Sequence, residues 1–526
     1  MRRRDLLLAA AALPAAPRLG SAQAASRVLR FVPQADLAST DPVLSTPTVT
    51  RNHAFLCYDT LYGLDHAYRP QPQMLEGHHV EQEGRQWRLV LRPGLKFHDG
   101  EPVRARDVVA SIRRWAARDG FGRTLMESTD ELSAQGDREI RFRLKRPFPM
   151  LPDALGKIQP PVLVIMPERL ASLDPAHPVP EVIGSGPFRF VAAEQVSGSR
   201  VVYEKFDGYV PREDGPMGFT SGPKRVHLDR VEWLIMPDAA TVGAALRAGE
   251  VDWWEQPHPD LLPMLRGLRN VAVELKDRSG SVPVLRFNSI QPPFDNPAIR
   301  RAVLAAIDRA DVMRAVAGTD RSTWNDRMGI FTPESALASD AGLDRFDGPR
   351  DLDAAKSAIT AAGYGGEPVV VLSASDVPLI SLSTEVVADV MSKIGLKVDL
   401  QVSDWGTVVQ RRGNRRPVGQ GGWSAFGVRF DGVTLLNPAV ALITRGNGNN
   451  AWFGWPDLPR LEELYQAWLA APDLAAQQAI CRDIQMQMWQ DAPAIPLGQV
   501  MLPFAFSRRL GGILDGFPKF YNVTKS

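Results

Sequence analysis

Cysteine is scarce in this chain, with two in 526 residues, Cys57 and Cys481. A disulfide framework therefore cannot organise the fold, and one bridge between so distant a pair is permitted without being implied. CxxC and zinc-type spacings do not occur, so no metal site is expected. Charge of one sign is lacking too. Sixty-one basic residues face 60 acidic ones, which supplies no basic surface for nucleic acid. The absence of repeats and low-complexity runs excludes a solenoid and long disordered segments. No apolar run reaches the roughly 20 residues that cross a bilayer. Enzyme motifs are also missing: GxSxG, HExxH and a Walker loop are not found. Gly446 to Ala451 fits GxGxxA formally, but its Asn-Gly repeats read as a polar loop rather than a strand-to-helix turn. No catalytic residue and no cofactor are expected.

What is present is an ordinary globular composition, 44% hydrophobic and 23% charged, in a chain long enough for two or three lobes. At the start, Arg2, Arg3 and Arg4 precede "LLLAAAALPAA", and "SAQA" ends at Ala24. This reads as a secretory signal peptide cleaved after Ala24, and "RRDLL" fits the twin-arginine export pattern loosely. No cysteine follows closely enough to take a lipid, so the mature chain is expected free in the periplasm. Loss of residues 1–24 removes four arginines and one aspartate, leaving 57 basic and 59 acidic residues, a net charge of −2.

The stretch "RQWRLVLRPGLKFHDGEPVRARDVVASIRRW" carries a His-Asp pair, His98-Asp99. Alternation at Trp87, Leu89 and Leu91 predicts a strand, Pro93-Gly94 a turn, and Leu95 and Phe97 a second short strand. Val108, Ile112, Trp115 and Ala116 recur at helical spacing, with Asp107 near the helix start. The pair thus falls in a turn. Asp-Gly explains itself there, and no further His or Asp ligand set accompanies His98, which is expected to be structural.

"LRPGLKFHDGEPVRARDVVASIRRW" closely resembles the signature of family 5 bacterial extracellular solute-binding proteins, the dipeptide, oligopeptide and nickel-type receptors of ABC importers. The resemblance continues through "VIGSGPFRF", "AALRAGEVDW", "RFNSIQPPFDNPAIRRAVLAAIDRADVM" and "NNAWFGWPDLPRLEELYQAW". One departure is Arg104, where the family usually has Thr or Asn as N-cap, so this helix start leans on Asp107 alone. The resemblance implies an α/β fold of two periplasmic-binding-protein lobes (type II, cluster C-like) with an additional inserted domain. The first lobe is expected at 25–50, 184–276 and 492–526, the inserted domain at 51–183 and the second lobe at 277–491. Val284–Asn288 and Ile495–Val500 read as the extended crossings between lobes.

The expected function is capture of a small or peptide-like solute in an interlobe cleft and its delivery to the permease subunits of an inner-membrane ABC transporter, by a monomer that binds no nucleic acid. Two other classes compete: a periplasmic chaperone or sensory partner using the same cleft, and a secreted hydrolase supported only by His98-Asp99. The cleft segment is placed at residues 419–438. By resemblance, Trp423 occupies the position of an aromatic residue lining the family's peptide cleft, and Phe426 the position where peptide receptors place an aspartate for the ligand's amino terminus. Arg429 and Asp431 are expected to bind ligand, against the alternative of a surface pair. Trp405 is expected to face the cleft or to pack. Core burial is the alternative for Trp423 and Phe426. Arg411, Arg412, Arg415 and Arg416 read as a solvated loop that would otherwise attract an acidic ligand.

Overall fold

A computed structural model describes residues 27–526 apart from Pro216. The leader reading over residues 1–24 lies outside the described residues. Three separate stretches of chain build one seven-stranded sheet, ordered Val271–Glu274, Phe504–Ser507, Trp253–Trp254, Val28–Val32, Arg230–Leu234, Arg200–Lys205 and Phe188–Phe190. Its middle strand shows why it forms. Leu29 and Phe31 are fully buried while Arg30 between them is exposed, the period-two pattern of a strand. Phe31 packs against the rings of Trp233, Trp253 and Phe520 at 5.6, 5.3 and 5.0 Å.

A second sheet runs Trp324–Asn325, Gln499–Val500, Ser281–Phe287, Ala425–Asp431, Pro368–Ala374 and Lys397–Ser403. Pro368–Ala374 and Lys397–Ser403 pair in parallel, as the intervening helix Pro378–Lys393 requires. Residues between the first and second of the three stretches that build the first sheet fold a third unit. There the antiparallel sheet Leu75–Glu81, Gln86–Leu91, Glu139–Leu144 and Thr129–Gln135 carries the helix Ala105–Arg118. Among the described residues no helix is long and apolar enough to cross a membrane.

The segments read as interlobe crossings lie inside the second sheet. Leu285 pairs with Ile495, and Val500 pairs with both Ser281 and Trp324. They are apolar because they are core: Val284, Leu285 and Ile495 are at most 1% exposed. The chain instead passes between sheets at residues 275–280 and 501–503. The strand expected at Leu95 and Phe97 shrinks to a single bridge, Lys96 to Pro102.

The helix beginning at Ala105 does rest on Asp107, whose Oδ2 accepts from the Arg104 backbone N–H at 2.8 Å while Oδ1 accepts from Glu168 N–H at 2.8 Å. A guanidinium has no acceptor, so the Arg104 side chain cannot return a capping bond. His98 bridges two glycines: Nδ1 accepts from Gly184 N–H at 3.3 Å and Nε2–H donates to Gly186 O at 3.1 Å. Burial holds its pKa down at about 4, consistent with that neutral tautomer. Both glycines press on the end of helix Thr48–Cys57, where a Cβ at 184 would meet Cys57 O at 2.0 Å. The Gly-x-Gly-Pro segment is thus a close-approach seam that His98 ties from the other side. Cys57 and Cys481 are both buried and unpaired, with burial raising each thiol's pKa.

Candidate solute cleft

Helix Thr48–Cys57 puts Arg51 and Asn52 where the two sheets face each other, and both are buried. Arg51 Nη1 lies 3.4 Å from Asp431 Oδ2, at the end of strand Ala425–Asp431 in the second sheet. The other Asp431 oxygen meets Arg429 Nη2 at 3.2 Å, so one carboxylate joins a cation from each side. Asn52 Nδ2 donates to Glu255 Oε1 at 2.9 Å, and Gln34 N–H to Glu255 Oε2 at 2.8 Å. The Arg51 guanidinium stacks 4.3 Å from the Phe517 ring centre, with Lys519 Nζ 4.6 Å from the same ring. Asp277 accepts from Ser279 at the crossing between sheets.

These charges are kept dry. Burial raises Glu255 to about 7 and raises Asp277, with Arg51 opposing both shifts, and lowers Lys519 to about 7. The cavity bounded by Gln34, Arg51, Glu255, Asp277 and Asp431 holds about 40 Å³. A water needs roughly 10–15 Å³ of such space, so the lobes stand closed on a gap for a few waters at most. Opening would separate Arg51 from Asp431 and expose both to a solute. The chemistry available is charge pairing and hydrogen bonding on both signs. Among the described residues no cluster of metal-ligating side chains occurs.

The expected site residues divide. Arg429 and Asp431 are half-buried and paired with each other; Asp431 lines the cavity, and Arg429 stands behind it. Trp423 and Phe426 are fully buried in a different place. Their rings meet edge to face at 5.0 Å, with Trp455 5.9 Å from Trp423 and Trp452 5.5 Å from Phe426. Strand alternation explains the split between Phe426 and Asp431: they are five positions apart, an odd number, which puts them on opposite faces. Phe426 and Phe430 share the face that packs on Trp452. Trp405 opens helix Trp405–Arg411 and lies 5.3 Å from the Arg412 guanidinium, outside the cleft lining. Arg412 itself leaves the expected solvated loop, stacking 4.4 Å from Phe453, and burial lowers its pKa to about 10. The loop at Gly446 is held by Glu462, which accepts from Gly446 N–H at 2.8 Å and pairs with Arg445 at 2.7 Å.

Sequence reasoning missed Arg51, Asn52, Glu255, Asp277 and Lys519. A local signal existed only at Arg51-Asn52-His53, three polar residues inside a short helix ending in "AFLC". The others come together from chain positions hundreds of residues apart, which spacing does not reveal.

Residues 69–438 match the family described as bacterial extracellular solute-binding proteins, family 5 Middle. The chain is 36% identical over 533 residues to the probable peptide ABC transporter periplasmic-binding protein y4tO of Sinorhizobium fredii, covering 100% of this chain and 99% of that one. It is 26% identical to the glutathione-binding protein GsiB of Pectobacterium atrosepticum, over 90% of this chain and 89% of the relative. Among solved structures, the Agrobacterium tumefaciens binding protein AgaA with agropinic acid matches at TM-score 0.79 and 21% identity, covering 95% of this chain and 99% of that one. A Pseudoalteromonas dipeptide-binding protein with Met-Leu matches at TM-score 0.77 and 20% identity, covering 95% and 100%. The fold is that of type II periplasmic binding proteins. Two sheets facing across a charged cleft agree with these likenesses: the chain belongs to family 5 of the bacterial extracellular solute-binding proteins, the receptors of ABC transporters.

Proposed function

We propose that the solute of this receptor is a small zwitterion of the peptide or amino-acid-derived class, held between the lobes by the groups now engaged in the Arg51–Asp431 pair. That ion pair across the cleft, 3.4 Å long, is the observation that carries the reading. A carboxylate on the solute takes Arg51 or Arg429, and an ammonium takes Asp431 or Glu255. Charged partners are what such a site needs, since an unpaired buried ion loses several kcal/mol of hydration. The names of two relatives, a peptide-binding and a glutathione-binding protein, support the same class. The ammonium is not held at position 426, where a buried ring stands in the second lobe's core. Mass spectrometry of small molecules released from freshly purified protein tests this. A compound with both amine and acid groups is expected, and an uncharged apolar compound would overturn the reading.

The lobes close about residues 275–280 and 501–503: residues 27–57, 184–274 and 504–526 move as the first lobe, to which helix Thr48–Cys57 is tied through Glu255 and Phe517, 281–500 as the second, and 58–183 form the inserted unit. Ligand favours the closed state because it touches both sides. Small-angle scattering should show a smaller radius of gyration with bound solute. One chain supplies both faces of the cleft, so the receptor acts as a monomer, binds no nucleic acid and hands its cargo to the permease subunits in the inner membrane. Export to the periplasm follows the twin-arginine route, with a mature chain beginning after Ala24, which amino-terminal sequencing checks.

A further inference from the structure

A second cavity, larger than the interlobe gap, lies where the inserted unit meets the second lobe. It has a volume of about 140 Å³ and shares no lining residue with the cleft. An engineered cavity of about 150 Å³ binds benzene, so this one has room for a chain of five or six heavy atoms. Leu64, Met150, Leu436 and Val440 make its wall mostly apolar. Asp153 stands in that wall with no cation to pair it. Lys157, just past the end of the short helix that holds Asp153, spends its ammonium on Asp119 Oδ2 at 2.6 Å, Gln159 O at 2.7 Å and Pro161 O at 2.9 Å. Arg69 is turned to Asp65 at 3.0 Å. Among the described residues no side chain bonds the Asp153 carboxyl, and burial raises its pKa to about 7. Two more lining residues are incompletely bonded. Gln159, 5% exposed, donates to Val433 O yet leaves Oε1 without a partner, and Trp468, 1% exposed, leaves Nε1 without one.

A carboxylate, a spare carbonyl acceptor and apolar walls form a complement to a hydrophobic chain with a donor cation at its tip. We propose that this pocket is a second binding site, taking an alkyl chain that ends in a primary ammonium or guanidinium group, with the Asp153 carboxylate as its counter-ion. The group belongs either to the far end of the transported solute or to a separate small amine. An uncharged donor would satisfy Gln159 but leave the acid unpaired, so the cation is the selective feature.

Calorimetric titration of the full chain with n-pentylamine and with pentan-1-ol tests the proposal. Pentylamine should bind at least tenfold more tightly than the alcohol. Asp153→Asn should abolish that preference, while Arg51→Gln, which disables the interlobe cleft, should leave it intact. Equal binding of amine and alcohol, or an unchanged preference in Asp153→Asn, would overturn the pocket. So would loss in Arg51→Gln alone, which would place the amine in the cleft. Should Asp153→Asn fail to fold by circular dichroism, Val440→Trp fills the cavity with Asp153 in place and must remove pentylamine binding; retained binding contradicts the proposal. Solute released from the native protein, added back, competes with pentylamine if its own end fills the pocket. Simultaneous binding identifies a separate amine as the occupant, and either result supports the site.

Discussion

Two regions of the second lobe begin within eight residues of each other and do opposite things. Around Trp423 and Phe426, rings pack on rings, with Trp423, Phe426 and Trp455 buried and Trp452 partly so. At Arg429 and Asp431, on the same strand, charge faces charge across the gap between sheets. The strand's two-residue period makes the difference at its end, since it turns Phe426 and Phe430 to the aromatic core, which Trp423 joins from just before the strand, and turns Arg429 and Asp431 to the other face. A family position that elsewhere lines a ligand site can therefore be core here, while the cleft is served by its neighbours. Stability should be concentrated in the first region and ligand affinity in the second.

The largest effect separates them most sharply. Phe426→Asp, the change that would restore the family's acid, should destabilise the second lobe by about 3 kcal/mol or more, because a carboxylate enters an aromatic core where its cross-strand neighbour Arg286 already spends its guanidinium on the Phe453 and Trp452 carbonyls. A folded variant with gained affinity for free peptides over N-acetylated ones would break the comparison. Trp423→Ala should cost about 3–5 kcal/mol in urea unfolding through the cavity it leaves, with the affinity of the remaining folded protein within a few fold.

The lobes, the inserted unit and the solute-binding class were legible because they rest on long, ordered patterns: alternation in "QWRLVL", helical spacing from Val108 to Ala116, and family blocks in sequence order. The crossings were misplaced because extended segments such as Val284–Asn288 look alike whether they bridge lobes or sit mid-sheet. The cleft was only half legible. Asp431 lies beside a recognisable aromatic motif, whereas Arg51, Glu255 and Lys519 acquire meaning only when folding brings residues 51, 255, 431 and 519 to one place and dries them.

The dryness of the cleft predicts a pH dependence. Glu255 in the folded chain titrates near 7, above its ordinary value of 4.5, because burial penalises the carboxylate. An acid whose folded pKa is raised favours the fold while protonated. Its contribution is fully present below pH 4.5 and is lost as pH rises through 7. Thermal melts of Glu255→Gln against the parent should show a flatter dependence over that window, and parallel curves would place Glu255 in water. The smallest effect expected is at His98. His98→Ala removes two hydrogen bonds to Gly184 and Gly186 and should cost about 1–2 kcal/mol, leaving solute affinity unchanged.

The account's central claim is that solute is held by the charges bridging the two lobes. Isothermal titration of solute-stripped protein with the compound released from the native receptor tests it most directly, run on the parent, Arg51→Gln and Trp423→Phe. Arg51→Gln should weaken binding tenfold or more with its melting temperature nearly unchanged, while Trp423→Phe binds as the parent does. Full affinity in Arg51→Gln together with loss in Trp423→Phe would contradict it and return the site to the aromatic cluster.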